Sequence, residues 1–319
     1  MVCKKATWVH SVKNFGESPD DVQGHVDRLA EAGFDLIIPC VKNPPGYLDF
    51  RTGVGVVNPE YPDWDVLAVL NDKASARGMK VHPWFCVFPE GDGSKLLSEH
   101  PEYAAVFESR FRWACACRPE VQDYVLALYE SLMANYSVAG VHLDYIRTGG
   151  PCRCTYCAAQ MKGRGVDIHT IESRDPGMAA WVDWRCERVT AFVERLHDIT
   201  QTKGIELSAA VFSGYPDCRH SNGQDWVAWA ERGIVDFLFP MTYTNSTRDA
   251  RMRTRCHRAL IGAQFPLWEG LGKRSSASEL STSGMVEQIK ACLEEGSQGI
   301  VLFSYPALSD EDLAVVADL

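Results

Sequence analysis

The chain has 319 residues, 46% of them hydrophobic and 23% charged, with a formal net charge of −10. That length suits one large α/β barrel or two smaller domains, with enough apolar residues for a sizeable core. The acidic balance argues against nucleic-acid and anionic-membrane partners, which reward basic patches, and no apolar run of about 18 residues exists to span a bilayer.

The start, Met1 to Trp8, lacks the apolar stretch of a signal peptide. Read with Met1 as the native start, the chain belongs in the cytoplasm; a removed leader would mean export. Apolar spacing predicts a first strand over residues 4–12, then a helix over 19–32 closed by Gly33. A second strand follows over 34–41, and a helix over 63–77 with Gly78 as its stop. Residues 79–88 read as the third strand, and 119–136 as a helix with Pro119 at its first position. The fourth strand covers 138–146, a long amphipathic helix 181–203, and the fifth strand 205–212. A short helix over 225–232 with Asp225 as its cap precedes the sixth strand, 234–243. The remainder reads as helix 248–260, strand 265–270, helix 283–295, strand 299–305 and helix 310–318.

Eight βα units in one chain of this length predict a single-domain (β/α)8 barrel over residues 1–319, with long βα loops over one mouth. A doubly wound sheet is the alternative, but the first strand runs into His10-Ser-Val-Lys-Asn-Phe15 without a Gly-rich phosphate loop.

The most informative stretch is Val138 to Thr148. Val141, Leu143 and Tyr145 alternate with His142, Asp144 and Ile146, which places an imidazole and a carboxylate on one face, and Arg147 follows at once. Gly140-Val-His-Leu-Asp-Tyr-Ile-Arg147 resembles the fourth-strand signature of the bacterial glycosyl-hydrolase-like family 10 proteins and related uncharacterised barrels. Arg118 to Val125, Asp225 to Trp229, Val235 to Tyr243 and Ile300 to Tyr305 resemble further segments of that family in the same order. The resemblance implies a barrel acting on a carbohydrate, peptidoglycan strands included. The seventh strand, Pro266-Leu-Trp-Glu-Gly-Leu-Gly272, departs from the family pattern in its glutamate.

Glycoside hydrolysis ordinarily takes two carboxyl groups flanking one bond. Asp144 is the first candidate, since strand-end carboxylates in barrels read as catalytic; the bland reading is a structural pair with Arg147. Glu269 is the second, or else a rim charge, with Asp217 and Glu90 as fallbacks and Asp236 at the wrong end of its strand. His10, His82 and His142 are expected at strand ends, where they contact sugar hydroxyls, orient Asp144 or, in a metal-dependent hydrolase, bind an ion. Trp8, Trp84, Tyr145, Tyr243, Trp268 and Tyr305 are expected near strand ends, where they stack on sugar rings, alongside Arg147, or else pack the core.

The chain carries 12 cysteines, most of them isolated as buried thiols would be. Cys152, Cys154 and Cys157 form a tighter group that reads as a structural zinc site with a fourth ligand from Cys115, Cys117 or His169, as free thiols, or as disulfides if exported. No cofactor is expected to be required for catalysis. The first reading is therefore a glycosidase; the rivals are a catalytically silent carbohydrate-binding barrel and a metal-dependent hydrolase.

Overall fold

A computed structural model describes residues 3–319. The strands are β1 (Lys4–Val9), β2 (Leu36–Lys42), β3 in two pieces (Lys80–Val81 and Trp84–Cys86) and β4 (Gly140–Asp144), then β5 (Glu206–Phe212), β6 (Phe237–Met241), β7 (Trp268–Gly272) and β8 (Gly299–Phe303). All neighbours pair in parallel, and β1 pairs with both β2 and β8, so the eight-stranded sheet closes into a barrel. The helices are α1 (Pro19–Glu31), α2 (Val66–Ala76), α3 (Lys95–Glu99), α4 (Pro119–Asn135), α5 (Thr155–Lys162), α6 (Gly177–Lys203), α7 (Asp217–Asn222), α8 (Trp226–Arg232), α9 (Thr247–Ile261), α10 (Thr282–Glu294) and α11 (Asp310–Ala317). The chain is a (β/α)8 barrel, as the alternation of elements predicts.

Each strand is apolar on both faces because one face fills the barrel and the other packs on helices. Inside, Trp8, Ile38, Cys40, Trp84, Phe239 and Val301 form one apolar cluster. Outside, Val9, Ile37, Phe85, Leu143 and Leu207 join the larger cluster beneath the helices. Side chains at Ser18, Asp65, Ser246, Ser281 and Ser309 cap helix N-termini by accepting backbone N–H bonds.

Three differences from the sequence reading bear on function. The third strand breaks at His82–Pro83, where Pro83 has no N–H for the ladder. Helices α3, α5 and α7 stand inside stretches that read as loops. The carboxylate of Asp225 does not cap α8; it pairs with Arg219 at 2.8 Å and accepts from the Tyr215 hydroxyl at 3.0 Å.

Candidate functional site

The C-terminal ends of the strands open into a cleft of about 780 Å³, a volume typical of small-ligand sites. Asp144 ends β4 at its floor and is 8% exposed. The next residue, Tyr145, is the only non-glycine among the described residues with positive φ, at 51°. That left-handed turn breaks the strand's alternation. Tyr145 therefore leaves the apolar face predicted for it and lines the cleft beside Asp144, while Ile146 turns into the core and is fully buried. The Tyr145 N–H donates to Asp144 Oδ1 at 2.6 Å and holds the carboxyl in place.

Arg147 Nη1 stands 3.7 Å from Asp144 Oδ1, an ion pair without a hydrogen bond. The guanidinium lies over the rings of Tyr145 at 4.3 Å and Phe212 at 4.6 Å. Burial raises the Asp144 pKa above its ordinary value, more than the Arg147 charge and the Tyr145 N–H lower it. Arg147 Nη1 and Trp84 Nε1 are buried donors without a hydrogen bond to the protein, and both residues line the cleft. Such donors are ordinarily satisfied by ligand or water.

Trp8, His10, Trp84, Tyr145, Arg147 and Tyr243 are the predicted contact residues that the fold brings together around Asp144. His10 sits at the exposed rim with its ring edge-on to Phe303 at 4.7 Å, and partial loss of hydration there lowers its pKa. Tyr243 stacks on Phe303 at 5.3 Å. Arg110, Phe111 and Arg253 also line the walls and were missed from sequence. Arg110 and Phe111 stand on the loop before α4, where no pattern marked them; Arg253 sits on α9, and its Nη1 donates to Ser213 Oγ at 2.8 Å.

Four expected contacts lie elsewhere. Trp8 Nε1 donates to His142 Nε2 at 3.0 Å, so that nitrogen is an acceptor and His142 is a neutral core histidine, its pKa lowered by burial. Its Nδ1 meets Ser208 Oγ at 2.9 Å; that hydroxyl also meets His82 Nδ1 at 3.0 Å, and His82 Nε2 reaches Glu206 at 3.1 Å. His82 thus lies at the base of the barrel, beside Trp268, Lys4 and Lys80. Trp268 begins β7 and packs on Phe239 and Phe237, with ring centroids 5.6 and 5.5 Å away. Tyr305 is 4% exposed, stacked on Phe15, and its hydroxyl meets His25 Nδ1 at 2.6 Å. The three histidines are spread from rim to base. Among the described residues no set of three potential metal ligands includes one of them.

Glu269 is also not in the cleft. Trp268, Gly270 and Gly272 take the inward positions of β7; a Cβ on Gly270 would meet the Trp8 ring at 2.8 Å. Glu269 therefore points outward, fully buried between β7 and α9. It meets His257 Nδ1 at 2.8 Å and accepts from Thr242 Oγ1 at 2.7 Å, while His257 Nε2 meets the Ser213 carbonyl at 2.8 Å. An acceptor at each nitrogen favours the doubly protonated His257 ring. Burial opposes that charge, but the Glu269 carboxylate and the two hydrogen bonds outweigh it and raise the His257 pKa. The fallback Glu90 is fully buried against Lys42 Nζ at 2.9 Å, and Asp217 is exposed on α7. Among the described residues lining the cleft, Asp144 is the only carboxyl group. Cys152, Cys154 and Cys157 are buried in a separate apolar cluster, not among the residues lining the cleft, and His169 is exposed.

A family model described as glycosyl hydrolase-like 10 matches residues 5–259. The chain is similar to the glycosyl hydrolase DigH of Escherichia coli, 25% identical over 271 residues that span 70% of this chain and 58% of that protein. It therefore spans less than two thirds of the length of that relative. Among solved structures, the glycoside hydrolase domain of PgaB (BpsB) from Bordetella bronchiseptica superimposes with a TM-score of 0.79 at 14% identity, covering 99% of this chain and 98% of that one. Alpha-L-fucosidase isoenzyme 2 from Paenibacillus thiaminolyticus gives a TM-score of 0.69 at 16% identity, over 99% of this chain and 48% of that one. At these identities the structural likenesses establish the fold.

Proposed function

The chain belongs to the glycosyl hydrolase-like 10 family, and on that premise we propose that it cleaves O-glycosidic bonds of an anionic glycan, with Asp144 as the proton-transferring group. The observation that carries this reading is Asp144 itself: a buried carboxyl of raised pKa, at a strand end, facing an open cleft. A general acid must hold its proton near working pH, and desolvation shifts Asp144 in that direction. The Tyr145 N–H fixes its orientation, and Arg147 stands close enough to stabilise the carboxylate left after proton transfer.

The anionic character of the substrate rests on charge. Arg110, Arg147 and Arg253 line the cleft against the one carboxyl of Asp144. Guanidinium groups pair with carboxylate, phosphate or sulfate on a sugar, and Arg147 has a free N–H for the purpose. Trp84, Phe111, Tyr145 and Tyr243 offer apolar faces to the C–H side of the rings. Among the described residues lining the cleft there is no second carboxylate to fill the other role of the usual two-carboxylate schemes. The second role falls to a group of the substrate, as in substrate-assisted glycosidases.

The missing second carboxylate also favours one rival, a carbohydrate-binding barrel without turnover. A panel of acidic and neutral oligosaccharides, assayed for cleavage and for binding with wild type and Asp144→Asn, separates the two. Cleavage by wild type that falls at least about a hundredfold in the variant, with binding kept, supports the enzyme. Binding without cleavage by either supports the binder.

A further inference from the structure

Four buried cysteines from two separate loops converge beside Phe107, whose ring lies 5.8 Å from that of Trp113. Cys115 comes from the loop between β3 and α4; Cys152 and Cys154 precede α5, and Cys157 lies in its first turn. Their sulfurs all lie within 4.8 Å of one another. From Cys115 Sγ the separations are 3.5 Å to Cys157, 3.6 Å to Cys154 and 3.9 Å to Cys152. A disulfide would hold two sulfurs at about 2 Å. Four thiolates placed tetrahedrally about 2.3 Å from one zinc ion lie about 3.8 Å apart, the edge of that tetrahedron. The three separations straddle this edge. An iron–sulfur cluster interposes several atoms between its cysteines and needs a wider set.

We propose that Cys115, Cys152, Cys154 and Cys157 bind one structural zinc ion that staples the loop before α4 to the loop after β4. The surroundings are those of a metal–thiolate centre. The Val106 N–H donates to Cys152 Sγ at 3.3 Å, an outer hydrogen bond of the kind that orients a metal ligand. Met161, Ile168, Trp181 and Trp184 form an apolar jacket. Zinc with four thiolates carries two negative charges, and the buried Arg185, its guanidinium 5.5 Å from the Trp181 ring of that jacket, supplies an opposing one. Thiols are weak hydrogen-bond donors, so mutual contact alone gives four of them little reason to converge.

The set is closed, with four protein ligands and no open position, so the ion does no chemistry on substrate. Its effect is positional. The first loop carries Phe111 and Trp113, whose rings lie 6.4 and 5.7 Å from the ring of Tyr145. The second loop leaves Asp144 through Tyr145 and Arg147. Joining them fixes one wall of the cleft relative to its carboxyl group.

The assignment stands apart from the glycosidase reading, because metal content tests it without a substrate. Whole protein, purified without chelator or metal-affinity resin, should contain about one zinc per chain by mass spectrometry of the elements. Cys154→Ser and Cys157→Ser should each lose it; Cys256→Ser, on the exposed thiol, should keep it. Stripping the ion should speed proteolysis within residues 105–118 and 148–165 while the far-ultraviolet dichroism of the barrel persists. Refolding with cobalt should give the absorption of a tetrahedral thiolate complex. Wild-type protein free of zinc with both loops protected, iron in its place, or a disulfide among these four would each overturn the proposal. The wild-type analysis decides even if a serine variant fails to fold.

Discussion

At Asp144 two roles make opposite predictions about stability. A structural ion pair would make the carboxylate stabilising, and Asp144→Asn would lower the melting temperature. The raised pKa says the reverse. Between about pH 4, where the unfolded carboxyl titrates, and its higher folded value, the folded chain binds more protons than the unfolded one. The contribution is complete below the unfolded pKa and is lost as pH rises through the folded one. Asp144→Asn should therefore melt no lower than wild type at pH 7, with any gain disappearing toward pH 3, as calorimetry across that range would show; a lower melting temperature at pH 7 would restore the structural pair with Arg147. Trp84 carries a second prediction at this scale. Its indole N–H is buried, unpaired and on the cleft wall, so Trp84→Phe keeps most of the packing and removes one donor. Glycan affinity measured by titration should fall by about 0.5–1.5 kcal/mol, the net worth of one hydrogen bond, with little change in melting temperature. Trp268→Ala should do the opposite. It empties a site at the barrel base and should cost about 3–5 kcal/mol of stability, with the affinity of the folded protein unchanged.

At the scale of the element, strand β7 shows what sequence hides. It is buried on both faces, so no alternation of polar and apolar residues marks which of them faces the barrel. Glu269 and Trp268 are adjacent, so one of them must point away from the interior; expecting both at the mouth could not hold. The parity was settled by Gly270, which makes room for Trp8, a contact between strands far apart in the chain. Asp144 was legible because it ends its strand next to polar residues, whereas the left-handed turn at Tyr145 had no sequence sign such as a glycine. The corrected place of Glu269 makes it a clamp between β7 and α9. Glu269→Gln leaves the doubly protonated His257 buried without its counter-charge and should cost about 3–5 kcal/mol. It should barely affect turnover by the folded fraction. The pair also sets a pH dependence. The His257 pKa is raised on folding, so its stabilisation is complete below about pH 6.5 and is lost as pH climbs through the folded value. Denaturant melts of wild type should weaken across that window, and those of Glu269→Gln should lose this component. A variant as stable as wild type with turnover abolished would return Glu269 to the mechanism.

At the scale of the whole molecule, the barrel was legible because eight repeats of strand and amphipathic helix leave few other closed arrangements. Depth within the barrel was not legible. It depends on the stagger between neighbouring strands, a property of the closed sheet rather than of any segment. His10, His142 and His82 therefore looked equivalent in sequence but lie at rim, middle and base. Charge behaves in the same way. The sum over the chain is −10, which argues against anionic partners in general. Folding nevertheless gathers Arg110, Arg147 and Arg253 around one carboxyl, so the cleft has the opposite sign to the molecule. A small acidic oligosaccharide that enters the cleft meets these groups at short range, while a large polyanion meets the acidic exterior first. Affinity for an acidic oligosaccharide should then fall as salt rises from about 0.05 to 0.5 M, because the screening length shrinks from above 10 Å to a few ångströms. Affinity for a neutral analogue of equal length should stay nearly constant. Arg253→Gln should weaken acidic binding, flatten its salt dependence and leave neutral binding as it was. Equal salt responses for the two ligands would show that the guanidinium groups meet no charge on the sugar, and the substrate would then be a neutral glycan held by the aromatic walls alone.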